Sequence, residues 1–294
     1  MAMHKSGFVN IIGNPNVGKS TLMNAFVGEK LSIITSKAQT TRHRIFGIVN
    51  GDDFQVIFSD TPGIIKPAYE LQQSMMDFVK SAFEDADILI YMVEIGEKTL
   101  KDENFFNKIR NSTIPVLLLL NKIDTSEQEF LEAQMQFWKE QLPNAELYPI
   151  SALENFNVKE VFHRIVELLP EGPAYFPKDQ FTDKPERFFV NESIREKILL
   201  NYKKEIPYAV EVETEEFLED DDIIRIRSVI MVERDTQKGI IIGHKGAALK
   251  KVGVGARKDL EKFFGKQVHI ELYVKVNKNW RNNTNQLKRF GYQG

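Results

Sequence analysis

The run Gly13-Asn14-Pro15-Asn16-Val17-Gly18-Lys19-Ser20-Thr21 has the residue types and spacing of a phosphate cradle. Glycines at both ends let successive backbone N–H groups turn toward an anion. A helical pattern starting at Lys19 adds the positive end of a helix dipole at the same spot. Lys19 would sit between the outer phosphates, and the Ser20 hydroxyl would ligate Mg²⁺. The alternative is a glycine turn without a ligand.

Four further groups point the same way. Asp60-Thr61-Pro62-Gly63, with Ile64 behind it, ends a strand. A carboxylate there reaches Mg²⁺ through water, and the Gly63 N–H can sense a terminal phosphate. Thr40-Thr41-Arg42 lies between a helix and a hairpin, where a hydroxyl can close onto the metal. Asn121-Lys122-Ile123-Asp124 ends another strand. A carboxylate at Asp124 accepts hydrogen bonds from the N1 and exocyclic amino donors of guanine, which adenine lacks. Adenine would leave that charge unpaired, a penalty of several kcal/mol. Ser151-Ala152-Leu153 ends the last strand, and a backbone N–H there can donate to the guanine carbonyl. Motifs in this order at the strand ends of an open sheet predict a GTP/GDP site.

A second constellation lies near the other end. Gly243-His244-Lys245-Gly246 precedes a basic helix with Lys250, Lys251, Arg257 and Lys258. Two glycines so spaced allow close backbone approach to a single-stranded nucleic acid. His244 reads as a phosphate or sugar contact rather than a metal ligand, since no partner ligands lie nearby in sequence. Ile240, Ile241, Ile242 and Leu249 are candidates for an apolar floor under the bases. The alternative is a glycine helix cap in an unrelated α+β domain.

The elements that must position these residues follow from periodicity. Phe8–Ile12, Asp87–Val93, Val116–Leu120 and Leu147–Ile150 read as buried strands. Lys19–Val27, Glu70–Phe83, Asp102–Arg110, Gln128–Gln141 and Val158–Leu168 read as helices. Arg44–Val49 and Phe54–Ser59 flank Asn50-Gly51, a strong hairpin signal, so this pair is expected to be antiparallel in an otherwise parallel sheet. Four of the eleven prolines fall between Pro170 and Pro185, which marks a domain boundary. Beyond it the order is helix (Glu186–Lys204), strand (Tyr208–Thr214), strand (Ile223–Glu233), short apolar segment, helix (Ala247–Phe264), strand (Val268–Val276). The expected organisation is an α/β P-loop nucleotide-binding domain over 1–170, with a mostly parallel doubly wound sheet, and a Pro-rich linker over 171–185. An α+β RNA-binding domain follows over 186–276, then a polar, basic tail over 277–294.

Composition sets the outer bounds. The 294 residues are too many for one average domain and suit two. With 42% hydrophobic residues a packed core forms, and the absence of cysteine removes disulfides, thiolate metal sites and cysteine nucleophiles. No apolar run approaches the ~20 residues of a membrane span, and the start carries no apolar leader, so a cytoplasmic protein is expected. The net charge of −3 hides an asymmetry. From Arg234 onward 14 basic residues face 4 acidic ones, a net of +10; against totals of 39 and 42, the rest holds 25 and 38, a net of −13. Such a segment suits a polyanion, RNA or an anionic membrane surface. The eight acids of Glu211–Asp222 read as a solvated hairpin connection.

On these residues, 7–169 resemble the translation-factor-related small GTPases. The whole chain, motif by motif, resembles the Era family of bacterial GTPases, in which a GTPase domain precedes a type II KH domain. The resemblance implies that Lys19, Ser20, Thr41 and Asp60 serve phosphates and Mg²⁺. It prefers Thr41 over Thr40, because related families place the metal-ligand threonine directly before an arginine. It assigns Asn121, Lys122, Asp124, Ser151 and Ala152 to the base, and small-subunit ribosomal RNA near its 3′ end, with ribosome assembly, to the second domain. A monomer, peripheral to the membrane at most, is the expected state.

One position departs from the Ras-like pattern. A water-orienting glutamine there is replaced by Ile64, as in Era-like GTPases, so slow hydrolysis is expected. Catalysis is left to Lys19, Thr41, Gly63 and Asn16. An asparagine at the fourth P-loop position resembles that of potassium-stimulated enzymes, which makes K⁺ an expected second cation. Other functions compatible with parts of the pattern are an RNA-binding factor whose hydrolysis is incidental, a tRNA-modifying GTPase, and an ATPase, which Asp124 disfavours.

Overall fold

In the computed structural model residues 4–292 are described; the first three and last two, extremities of the expected first domain and tail, lie outside the described residues. The chain divides into two units. One runs to Asp183 without Tyr69–Leu71, and the other takes Tyr69–Leu71 and everything from Lys184.

The first unit is built as β1 (Lys5–Ile12), α1 (Lys19–Val27), β2 (Ile45–Asn50), β3 (Phe54–Asp60), α2 (Glu70–Glu84), β4 (Ile88–Glu94), α3 (Glu103–Arg110), β5 (Val116–Asn121), α4 (Gln128–Gln141), β6 (Glu146–Pro149) and α5 (Val158–Leu168). The sheet order is β2-β3-β1-β4-β5-β6. Only β2 runs antiparallel to its neighbour, as the hairpin signal predicts. Near-continuous apolar strands such as Leu117–Leu120 are buried because helices cover both faces. In register, β1 pairs Val9 with Phe58 and Ile12 with Tyr91, so these two aromatics face opposite sides. Phe26 of α1 stacks on Phe58 at 4.6 Å with Phe162 of α5 beside it. Phe106 of α3 and Trp138 of α4 close edge-on over Tyr91.

The expected linker is a strap for most of its length. β2 is an edge strand, and its backbone groups need partners. Ile48 N–H donates to Phe181 O at 2.9 Å, Thr182 Oγ1 to Phe46 O at 2.7 Å and Phe46 N–H to Asp183 Oδ1 at 2.9 Å. Gln55 Oε1 accepts from Tyr175 N and Phe176 N at 2.7 and 3.0 Å. Pro177 stands between these bonds, where no N–H is required, and Pro170, Pro173 and Pro185 flank them.

The second unit is α6 (Glu186–Asn201), β7 (Glu211–Glu219), β8 (Ile223–Val232), α7 (Asp235–Ile242), α8 (Ala247–Phe264), β9 (Gln267–Val276) and α9 (Thr284–Arg289). β8 is central, antiparallel to β7 and parallel to β9. Its core joins Ile194 and Ile198 of α6, Val252 and Leu260 of α8, and Ile224 and Ile230 of β8. Two expectations change. The acidic run is strand β7 as far as Glu219 and only Asp220–Asp222 form the connection, with cations offsetting the strand's charge: Lys275 meets Glu215, Lys266 meets Glu219, and Arg227 meets Glu216. The tail is folded on this unit, with Trp280 fully buried and its Nε1 donating to Ala209 O at 3.2 Å, and with Tyr292 donating to Glu211 Oε2 at 2.7 Å.

Candidate functional site

A cleft of about 540 Å³ opens at the C-terminal ends of the parallel strands. It is lined from the P-loop (Pro15, Asn16, Gly18 to Thr21), from Thr40 and Thr41, from Gly63, from Asn121, Lys122 and Asp124, and from Ser151 and Ala152. All five motifs meet there, as expected for an open α/β sheet.

At the phosphate end α1 begins at Lys19, aiming its N-terminus into the cleft. Lys19 Nζ donates back to the Asn14 and Gly13 carbonyls at 2.9 and 3.2 Å. Burial lowers its ammonium to about 8, against the pull of Asp60 and Glu97. Ser20 Oγ donates to Asp60 Oδ2 at 2.7 Å and lies 3.0 Å from Thr41 Oγ1, which is 3.4 Å from the same carboxylate oxygen. Thr40 faces elsewhere, on Thr35 Oγ1 and Lys37 O, so the geometry selects Thr41. Burial pushes the Asp60 carboxyl above its usual value, opposed by its bond to Ser20, and Asp60 Oδ1 is buried without a well-aligned donor. Two hydroxyls and one hungry carboxylate fit Mg²⁺, which commonly takes one or two carboxylates and fills its shell with phosphates and water. No cluster of three or more acidic, histidine or cysteine ligands occurs among the described residues. Gly63 is obligatory for close approach: a Cβ there would stand 2.6 Å from the Pro15 Cα.

At the base end Asn121 is a hub. Its Nδ2 donates to Val17 O at 2.7 Å, and its Oδ1 accepts from Ala152 N at 2.9 Å. The Ser151 N–H donates to Phe156 O at 3.2 Å. The two amides expected to face a base carbonyl thus already serve the turn, since a buried side-chain amide must be satisfied. A base carbonyl must share the Ala152 amide with Asn121. Asp124 is exposed on a short 3₁₀ turn, free to face the base edge.

Other expected residues support from behind. Val17 and Ile64 are fully buried, Ile64 N–H holds Gly13 O at 3.0 Å, and Thr61 Oγ1 donates to Ile11 O. Asn14 is buried against Glu97, and Ile123 N–H reaches Ile150 O. Asn16, in the left-handed region at φ 67°, donates its amide to Ser36 O at 2.9 Å. Leu153 of the last motif lines the cleft too, while Ile33 to Ser36 and Gln39, which also line it, were not legible in the sequence. No motif marks them.

In the second unit the Gly243–Gly246 turn links α7 to α8. Gly243 has φ 73°, and a Cβ there would stand 2.6 Å from the Ala248 Cβ; Gly246 has φ 78° with open space before it. His244 and Lys245 are exposed, Lys245 at φ 49°. Beside them a groove of about 390 Å³ runs between α8 and β9, lined by Lys250 and Arg257 with Leu249, Val254, Ile270 and Leu272 as floor. Lys251 and Lys258 are exposed one residue further round the helix and do not line it. Of the isoleucines expected in the floor, Ile241 is core and Ile240 is exposed. β9 supplies the floor instead, which only its partnering by β8 reveals.

Comparison with known proteins follows this geometry. A family profile described as "50S ribosome-binding GTPase" matches residues 8–122, and a KH domain profile matches 205–281. The chain is 45% identical to GTPase Era of Staphylococcus haemolyticus and of Staphylococcus epidermidis, each over 294 residues covering 99% of this chain and 98% of the relative. A crystal structure of Era with MgGDPNP and nucleotides 1506–1542 of 16S ribosomal RNA matches with a TM-score of 0.94 at 38% identity, covering 99% of this chain and 100% of that one. A variant of Aquifex aeolicus Era bound to GDP·AlF4⁻ matches equally well, with a TM-score of 0.94 at 38% identity over 99% of this chain and 100% of that one. At 45% identity over nearly the whole length of both chains, with the matching GTPase and KH profiles, the chain belongs to the Era family of GTPases.

Proposed function

We propose that this chain is a GTP-driven switch that binds small-subunit ribosomal RNA near its 3′ end and acts in assembly of the small ribosomal subunit. The observation that carries the reading is one chain holding both a cleft lined by Ser20, Thr41 and Asp124, with Asp60 bonded behind Ser20, and a basic Gly243–Gly246 clamp. The relative that holds nucleotides 1506–1542 of 16S RNA supports the small subunit over the large one named in the domain profile. The working state is a cytoplasmic monomer. The basic helix α8 also suits an anionic membrane surface, and no helix among the described residues is long and apolar enough to cross one.

In this reading Gly13, Gly18 and Thr21 wrap the phosphates with backbone N–H groups, and Lys19 leaves the loop carbonyls to meet them. Ser20, Thr41 and Asp60, the last through water, hold Mg²⁺, which neutralises charge developing on the phosphates. Gly63 N–H senses the terminal phosphate, and Asp124 reads the guanine edge. Ile64 is buried, so no side chain at that position orients the attacking water. Catalysis is therefore electrostatic, and the Asn16 side-chain oxygen would hold K⁺, which would supply positive charge to the transferring phosphate. The buried Ile64 also favours a second reading, a GTP-regulated binding factor with incidental hydrolysis.

One assay separates them: GTP turnover with and without the 3′ RNA fragment, in K⁺ and in Na⁺. The switch reading expects RNA to speed turnover, with K⁺ faster than Na⁺ and that difference lost in Asn16→Ala. Turnover indifferent to RNA leaves the binding factor, and equal rates in both salts remove K⁺.

A further inference from the structure

The end of β4 and the turn after it hold two carboxylates, Glu94 and Glu97, that no nucleotide-binding motif includes. Glu97 Oε1 accepts from Asn14 Nδ2 at 2.8 Å, and Glu97 Oε2 accepts from the Glu94 backbone N at 2.9 Å. Glu94 Oε2 accepts from Lys122 Nζ at 2.7 Å. Between them Ile95 N–H donates to Asn121 O at 2.9 Å. Asn14 is 4% exposed, and its remaining groups are also used: Oδ1 accepts from Lys101 N at 3.1 Å and Nδ2 reaches Thr99 O at 3.1 Å. Four consecutive residues thus grip the phosphate loop at one end and the base motif at the other.

We propose that Glu97 and Glu94 are positioning residues, a bracket that fixes the separation of the P-loop from the guanine motif and so presets the cleft for nucleotide. The proposal rests on the GTPase reading of that cleft. Its physical basis is preorganisation: an Asn14 side chain locked to a carboxylate, through a charge-assisted bond, spares the loop the cost of ordering when phosphate arrives. Both ground and transition states use the same loop, so the bracket acts on affinity rather than on the chemical step.

The test uses the full chain and GTP. Glu97→Ala and Asn14→Ala should each raise KM about tenfold, about 1.4 kcal/mol, with kcat unchanged. The double variant should lose clearly less than the sum of the two single ones, because both remove the Asn14–Glu97 bond. Glu97→Gln, which keeps an acceptor for Asn14, should recover most of the affinity. The unfolding temperature without nucleotide is the folding control; if Glu97→Ala fails to fold, Asn14→Ala carries the same expectation. Unchanged KM, additive losses in the double variant, lowered kcat at parental KM, or Gln as weak as Ala would each overturn the bracket. Failure of the parent to bind GTP would instead overturn the GTPase reading.

Discussion

Ser20 Oγ donates a 2.7 Å hydrogen bond to Asp60 Oδ2, joining the start of α1 to the end of β3 across forty residues of chain. Thr41 closes the same group from a third segment. Burial pushes the Asp60 carboxyl up, and with two hydroxyls at hand the group suits the Mg²⁺ role proposed for it.

The first prediction follows from that relationship. Mg²⁺ should strengthen GTP binding in the parent, and Asp60→Asn should abolish the strengthening while leaving the metal-free affinity near the parental value. Affinities measured with Mg²⁺ and with chelator decide it; a full Mg²⁺ effect in the variant contradicts the site.

The second concerns protons. Lys19 titrates at about 8 in the nucleotide-free loop because burial disfavours its charge, and phosphates beside it favour the charged form. Below pH 8 the lysine is already protonated and binding moves no proton to it. Above pH 8 binding must take one up, so GTP affinity should fall as pH rises through about 8 and beyond. Calorimetric titration at pH 8.5 in two buffers of different ionisation enthalpy should show proton uptake, absent in Lys19→Arg. Equal heats in both buffers for the parent contradict the lowered value.

Base choice supplies the third. Asp124→Asn should weaken GTP by about 2–3 kcal/mol, as for lost charge-assisted hydrogen bonds, and shift preference to xanthosine triphosphate. A variant that still prefers GTP over ATP as strongly as the parent removes Asp124 from the base edge.

Much of this was legible in the sequence, for reasons that differ by element. α1, α4 and α5 end where the periodicity ends; α1 stops at Gly28, left-handed at φ 79°, with its N–H on Asn24 O. Motifs place Ser20, Thr41, Asp60 and Asp124 because their chemistry demands particular residue types at strand ends. What stayed hidden depends on partners distant in sequence. The strap of 171–183 reads as a loop because its hydrogen bonds belong to β2 and β3. β7 was expected at Tyr208–Thr214, and its acidic half becomes strand only because Lys266, Arg227 and Lys275 offset the charge. α7 was expected as a short apolar segment, since Ile240–Ile242 alone shows no 3.6-residue period. The tail looks polar, yet Trp280, Leu287 and Tyr292 bury themselves on the second unit. Asn14 and Glu97 carry no motif, so their pairing is visible only in the fold.

The central claim is one chain with a GTPase cleft and an RNA clamp, and one titration tests it most directly. A single-stranded fragment from the 3′ end of small-subunit ribosomal RNA is titrated at two salt concentrations against the parent and against the double variant His244→Asp, Lys245→Asp. GTP affinity serves as the folding control. Both side chains are exposed on the Gly243–Gly246 turn, so the exchange reverses the loop's charge without touching the core. The account predicts at least about a tenfold loss of RNA affinity, about 1.4 kcal/mol, and a flatter salt dependence as fewer counterions are released, with GTP binding unaltered. RNA bound by the doubly acidic variant as tightly as by the parent would contradict it.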